Sequence, residues 1–268
     1  MGFNDDSTVL IKQVLDKPSF DPMAFIEVEI TTSQTWVAPT AKDNLFYVVI
    51  QGAGGSGANS QYGIMIATGG NGGEIKKSWI TLTPAESIVV TIGAGGAGVS
   101  NTIGSINGNV GGSTTFGSYL TAQGGDKGYS GNRYELGATL KSGISGGDAL
   151  VFQDSGQTNY YHIHSMVPPA NIDVWTPKGA INVTGAKSLH FGGYSTSTYS
   201  VGFCGAGGAG LNGVSPATLV GAVVNNSGNV TPAGAGSGGI LTAGSTNSFS
   251  MTNTAGGTGI VKIYYEAI

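Results

Sequence analysis

The side chains able to do chemistry are gathered mainly in one stretch, residues 126–200, which holds all three histidines and six of the 11 tyrosines. His162-Ile163-His164 has metal-ligand spacing. In a strand, residues i and i+2 face the same side, so both imidazoles project together. Three chains around an axis would then offer six nitrogens to one iron or other transition-metal ion. The competing reading is two partly exposed or hydrogen-bonded histidines within their own segment. Cys204 is the single cysteine, so an internal disulfide and a cysteine-based zinc site are both excluded.

Catalysis finds little support. The carboxylates beyond residue 45 are Glu74, Glu86, Asp126, Glu135, Asp148, Asp154, Asp173 and Glu266, and no spacing forces two of them together as glycoside hydrolysis requires. No Gly-x-Ser-x-Gly sits in a strand-to-helix turn, as a nucleophile elbow needs. Three hexads, Gly52-Ala53-Gly54-Gly55-Ser56-Gly57, Gly93-Ala94-Gly95-Gly96-Ala97-Gly98 and Gly205-Ala206-Gly207-Gly208-Ala209-Gly210, satisfy the G-x-G-x-x-G dinucleotide pattern. That fingerprint needs a helix immediately afterwards to hold the pyrophosphate. None of the segments that follow starts a helix with an apolar stripe. The chain reads as a non-enzyme with no cofactor beyond that metal.

Recognition is the remaining chemistry. Tyr160, Tyr161, Trp175, Tyr194 and Tyr199 lie among Asn, Asp and Gln residues. Rings stack on the apolar faces of sugars while amides bond the hydroxyls, and Tyr and Trp give contact area at low entropic cost. These five are the candidate receptor contacts; the alternative is that they fill the core of an inserted β subdomain. Segments 99–110 and 211–232, rich in Asn, Ser and Thr, are further candidate loops.

What positions these groups is set by an unusual composition. Of 268 residues, 48 are Gly, and only 10% are charged. Hydrophobic content of 40% argues against a disordered chain. Eleven basic residues spread over a chain of net charge −4 give no footprint for nucleic acid. No apolar run reaches the length of a membrane span, and the N-terminus lacks a signal-peptide pattern, so the expectation is synthesis in the cytoplasm without a leader or membrane insertion. Ten of the 26 charged residues fall in residues 1–45, whereas the 74 residues between Lys187 and Lys262 carry none. A tract that long without charge suits an assembly or a binding face.

Period-two alternation at residues 25–30 and a continuous apolar run at 45–50 predict strands. Further strands are expected within 73–83, 87–92, 119–122, 149–153, 189–191, 249–252 and 259–266. The fold class is all-β: a glycine-rich β-sandwich or jelly-roll-like domain with polyglycine, polyproline-II-like segments. Residues 7–18 suit a short helix capped by Ser7, with a strand or a disordered arm as the alternative. Gly in such clusters is needed either for positive φ or for close approach of neighbouring backbones. One hexad repeated after three strands favours architecture over flexible turns.

Taken in order, Thr35-Trp36-Val37-Ala38-Pro39, the first two hexads, Leu82-Thr83-Pro84, Gly111-Gly112-Ser113-Thr114-Thr115-Phe116-Gly117, Leu120-Thr121-Ala122-Gln123-Gly124-Gly125 and Gly257-Thr258-Gly259-Ile260-Val261-Lys262-Ile263-Tyr264-Tyr265 resemble the glycine-rich domains of bacteriophage tail-fibre tips and related virion adhesins. The likeness covers residues 33–268 with a gap at 126–200. It is similar to the adhesins at the distal end of T-even-type long tail fibres, but lacks their larger N-terminal fibre-binding domain. The resemblance implies a virion protein whose residues 1–30 attach to other tail or baseplate proteins. Residues 31–268 would form the adhesin domain, with 126–200 an inserted receptor-binding subdomain. It implies a homotrimer that binds a host surface receptor, carbohydrate or outer-membrane protein, through loops between Gly motifs. The alternative is a purely structural part, a fibre-to-baseplate connector or a decoration protein.

Overall fold

A computed structural model describes residues 24–61, 65–101, 105–132, 152–153, 161–162, 171–184, 189–190, 202–204, 207–208, 210–212, 231, 233–237, 240–242, 251–252 and 254–268. Its framework is a pair of four-stranded antiparallel sheets and an antiparallel hairpin, joined to a packed block of glycine-rich chain. The strands of this framework, leaving aside shorter ones within and around the glycine-rich block, are β1 (Phe25–Ile30), β2 (Gln34–Val37), β3 (Ala41–Gln51), β4 (Ile75–Thr81), β5 (Ser87–Thr91), β6 (Thr114–Phe116), β7 (Leu120–Ala122), β8 (Asn171–Thr176), β9 (Gly179–Thr184) and β10 (Ile260–Ala267). The first sheet has the order β1, β10, β3, β4 and the second β7, β6, β5, β2. The all-β reading holds. β1 lies inside the segment read as a virion attachment, yet pairs along its whole length with β10, from Phe25 opposite Glu266 to Ile30 opposite Val261.

The two sheets pack face to face. Phe46, Val48 and Ile50 of β3, Ile80 of β4 and Val261 and Ile263 of β10 meet Ile88 and Val90 of β5 and Phe116 of β6, all buried. Trp36 spans the layer, its ring 5.7 Å from Phe46 and 5.8 Å from Phe116. Each such side chain contributes about 1.5–3 kcal/mol when fully buried. The apolar run of β3 is unbroken because both its faces are covered. Tyr47 and Val49 point the other way, into a second core with Ile260, Tyr264, Leu211 and the hairpin residues Val174 and Val183. Near its start, β3 carries a bulge at Asp43 and Asn44, φ 56° and 54°, where the register with β10 shifts. Asp and Asn tolerate that left-handed region better than most residues.

The glycine-rich segments form a lattice of extended chains. Residues 52–57 run through its centre. Gly52 and Gly55 donate their N–H groups to the carbonyls of Glu74 and Asn71, and Ala53 and Ser56 donate to Gly112 and Asn109. Gly54 donates to Gly257. In return the Ala53 and Ser56 carbonyls accept from Gly125 and Gly128, the Gly54 carbonyl from Gly96, and the Gly55 carbonyl from Ser237. Three of these partner segments, 71–74, 109–112 and 125–128, recur every third residue, the repeat of a polyproline-II helix. Successive backbone groups therefore point to different neighbours, and six segments surround the central one.

Close approach is what requires glycine at most of these positions, although Gly234 also takes a positive φ of 75°. A Cβ on Gly54 would lie 1.9 Å from the Ala235 carbonyl oxygen, and one on Gly95 1.8 Å from that of Gly256. Gln51 joins lattice to sheet: fully buried, its Nε2 donates to the Gly73 carbonyl at 3.0 Å, and its Oε1 accepts from the Leu211 N–H at 2.7 Å.

Candidate functional site

The second face of the first sheet gathers aromatic rings. Along β4, Ile80 enters the core, so the alternation of the strand places Trp79 on the opposite face. The register sets Trp79 beside Tyr47, Tyr47 beside Tyr264 and Tyr264 beside Glu27, one row across all four strands. The Trp79 and Tyr47 centroids are 4.9 Å apart, and Phe25 stands 6.4 Å from Trp79. Trp79 remains 41% exposed.

The hairpin of β8 and β9 completes this surface. Its turn is closed by Thr176, whose Oγ1 donates to the Gly179 carbonyl at 2.6 Å, and Gly179 takes φ 122°, which a side chain would resist. Val174, Ile181 and Val183 pack toward the sheet. Asp173 and Trp175 occupy the other face with their cross-strand partners Asn182 and Ala180. The Asn182 amide donates to Asp173 Oδ1 at 2.8 Å. The Trp175 ring meets Tyr47 at 5.3 Å, nearly perpendicular at 81°, and is 44% exposed. The Tyr47 hydroxyl donates to the Trp175 carbonyl at 3.1 Å. Two half-exposed indoles thus flank one buried tyrosine.

Charges under this surface are arranged to hold it. Burial pushes the Tyr47 phenol up. Burial also raises Tyr264, with help from the Glu27 charge, to about 12. Lys262 is pulled down by burial, but hydrogen bonds and charge from Glu29 and Glu27 outweigh this and leave it raised. Its ammonium lies 3.1 Å from Glu27 and 2.8 Å from Glu29, tying β10 to β1.

Of the five residues proposed from sequence as receptor contacts, the structure places Trp175 at this surface. Tyr161 lies in a short strand, Tyr161–His162, paired with Phe152–Gln153. Tyr160, Tyr194 and Tyr199 lie outside the described residues. His162 is opposite Phe152 in that pair, and His164 also falls outside the described residues. Among the described residues no group of three or more His, Cys, Asp or Glu could hold a metal ion, and no helix is long and apolar enough to cross a membrane. Segment 99–110 divides: Ile106 is exposed, while the Gly108 N–H donates to Gly128 and Gly108 packs on Ser56 in the lattice. Sequence reasoning missed Trp79. Its strand was expected, and Ile80 beside it marks Trp79 as outward, but the register that brings it to Tyr47 is tertiary.

Neither of the first two hexads leads into the helix that a dinucleotide fingerprint needs. The first enters the lattice, and the chain after it forms the strand Asn59–Gln61; after the second comes Ser100–Asn101. A family model of the glycine-rich domain matches residues 29–266, nearly the whole of this architecture. The chain belongs to the glycine-rich domain family. In this glycine-rich domain the glycines are the packing surface itself, and the aromatic face is carried on the adjoining sheet. No curated protein matches the chain.

Proposed function

We propose that this glycine-rich domain is a bacteriophage tail-fibre or tail-tip protein that binds a host cell-surface receptor, carbohydrate or outer-membrane protein, without catalysing a reaction. The observation that supports this reading most is the union of a backbone-packed scaffold with half-exposed Trp79 and Trp175. A scaffold held by backbone hydrogen bonds presents rings with little ordering left to do on binding. Residues 1–30 attach it to other tail or baseplate proteins, Phe25–Ile30 serving also as strand β1. As a homotrimer on the virion it binds through several weak sites at once, and effective concentration raises the total affinity.

The test is binding of the purified protein to whole bacterial cells, with its mass in solution measured by light scattering. Saturable binding to a subset of strains and a mass near three times 26.9 kDa are expected. Absence of binding to every strain tested overturns the adhesin reading.

One observation favours a structural part instead. The outward face of the second sheet carries Thr35, Val37, Ser87, Val89 and Thr91, all exposed and none charged, with Val89 at 63%. A connector or decoration protein would cover that face with a neighbour. In that case the isolated protein binds no cells and co-assembles with a tail or capsid component.

A further inference from the structure

We infer that the surface of Trp79, Tyr47 and Trp175 is a saccharide site, and that the unit seated on Trp175 is a neutral pyranose of a bacterial surface polysaccharide. This rests on the adhesin reading and names the ligand class and the site. Three features carry it.

Both indoles are half-exposed, 41% for Trp79 and 44% for Trp175, although each touches Tyr47. Exposed apolar side chains gathered around one residue point to an interaction site where singly scattered ones do not. A polar pair is the next cross-strand pair on the hairpin face that carries Trp175. Asp173 and Asn182 are held together at 2.8 Å, one cross-strand position away. A carboxylate accepts more than one donor, and an amide both donates and accepts, which suits adjacent sugar hydroxyls. Ala180, opposite Trp175, is too small to cover the ring. A protein partner would want an apolar centre with polar groups at the rim, whereas here a charged residue is the next residue along the same strand face. Asp173 would repel an acidic sugar, which makes the unit at Trp175 neutral.

The support beneath the rings is fixed. The Tyr47 hydroxyl holds the Trp175 carbonyl across 128 residues of chain, and Val174 and Val183 anchor the hairpin in the second core. The site is therefore formed before a ligand arrives, and a single saccharide binds weakly, with avidity supplied by copies.

The experiment applies the full chain to an array of purified bacterial O-antigens and capsules, neutral and acidic, alongside Trp175→Ala, Trp79→Ala and Asn182→Ala. Thermal unfolding confirms that each variant folds. Because Trp175 packs on Tyr47, Trp175→Phe keeps a ring in place if Trp175→Ala does not fold. The expected result is binding to at least one neutral polysaccharide, weakened about tenfold by each loss of a ring or amide. Polysaccharide binding that the variants leave unchanged, or binding confined to acidic polymers, overturns the site. Whole cells that bind the wild type, and lose this on protease treatment while no polysaccharide binds, also overturn it but leave the adhesin reading standing. Failure to bind any cell defeats both.

Discussion

Tyr47 and Trp175 are joined twice: the phenol hydroxyl donates to the Trp175 carbonyl at 3.1 Å, and the two rings meet at 5.3 Å in a near-perpendicular pair. Tyr47 is buried in the centre of the first sheet, whereas Trp175 is half-exposed on a hairpin that follows 128 residues later. The contact makes the hairpin part of the sheet's second face, and through it the candidate binding surface inherits the rigidity of the core.

Tyr47→Phe keeps the ring pair and removes the hydroxyl. The expected cost is about 1 kcal/mol. The loss is local: amide hydrogen exchange in residues 171–184 speeds up about fivefold, while exchange in β3 and β10 changes little. Equal acceleration in hairpin and sheet would show that the hydroxyl does not fasten the hairpin.

Gly54→Ala introduces a methyl at a position 1.9 Å from the Ala235 carbonyl oxygen, and that neighbour is backbone that cannot rotate away. Overpacking of this kind costs about 1–3 kcal/mol and more where the surroundings cannot shift. The denaturant midpoint should fall with the slope unchanged. An unchanged midpoint would mean that the lattice is looser than its hydrogen bonds indicate.

Ala85→Gly is expected to stabilise the fold. Ala85 sits at φ 65° in the turn of residues 83–86, where the Glu86 N–H bonds the Thr83 carbonyl at 3.0 Å. Pro84 before a residue of positive φ is the pattern of a type II turn, which prefers Gly at that third position. Relief of the left-handed strain, about 1–2 kcal/mol, exceeds the added freedom of the unfolded chain, about 0.4–1 kcal/mol. A rise in Tm of a few degrees is the readout, and a fall contradicts the account.

Stability should decline on the alkaline side. Tyr264 titrates at about 12 in the folded protein against 10.0 ordinarily, so its contribution is complete below pH 10 and disappears between pH 10 and 12. Lys262, raised above 10.5 by the net effect of its partners, acts in the same direction. Its contribution is present below pH 10.5 and is lost as pH rises through the folded value. Glu86 works at the opposite end. Hydrogen bonds from Tyr119 and Thr83 hold its carboxyl below 4.5, so its contribution is present above pH 4.5 and fades on further acidification. Denaturation followed from pH 3 to 12 should show both limbs, and Tyr264→Phe should blunt the alkaline one.

Much of the framework was legible in the chain. Alternation in Phe25–Ile30 and the apolar run within Ala41–Gln51 marked β1 and β3, and the closing apolar segment marked β10, because burial on one or both faces leaves a local periodic trace. The triple recurrence of the hexad signalled a built structure. Its second residue is Ala each time, so the motif itself shows that close packing does not demand Gly at every position. Ala53 is fully buried, and it is Gly52 and Gly54 on either side of it that a side chain would drive into neighbouring backbone.

The tertiary structure decided the rest. Composition left two reasons open for the glycines, positive φ or close backbone approach, and only the arrangement of six segments around residues 52–57 selects the second. The hairpin of β8 and β9 was not foreseen, since Asn171–Thr176 carries a mixed pattern whose buried face is defined by a sheet far away in sequence. Trp175 was legible as a ring in a recognition-rich stretch; its partnership with Tyr47 and Trp79 was not. Periodicity reports which face of a strand is buried, and it holds no information about which distant strand lies beside it. Register and packing set that, and they place the two exposed indoles on either side of one buried tyrosine.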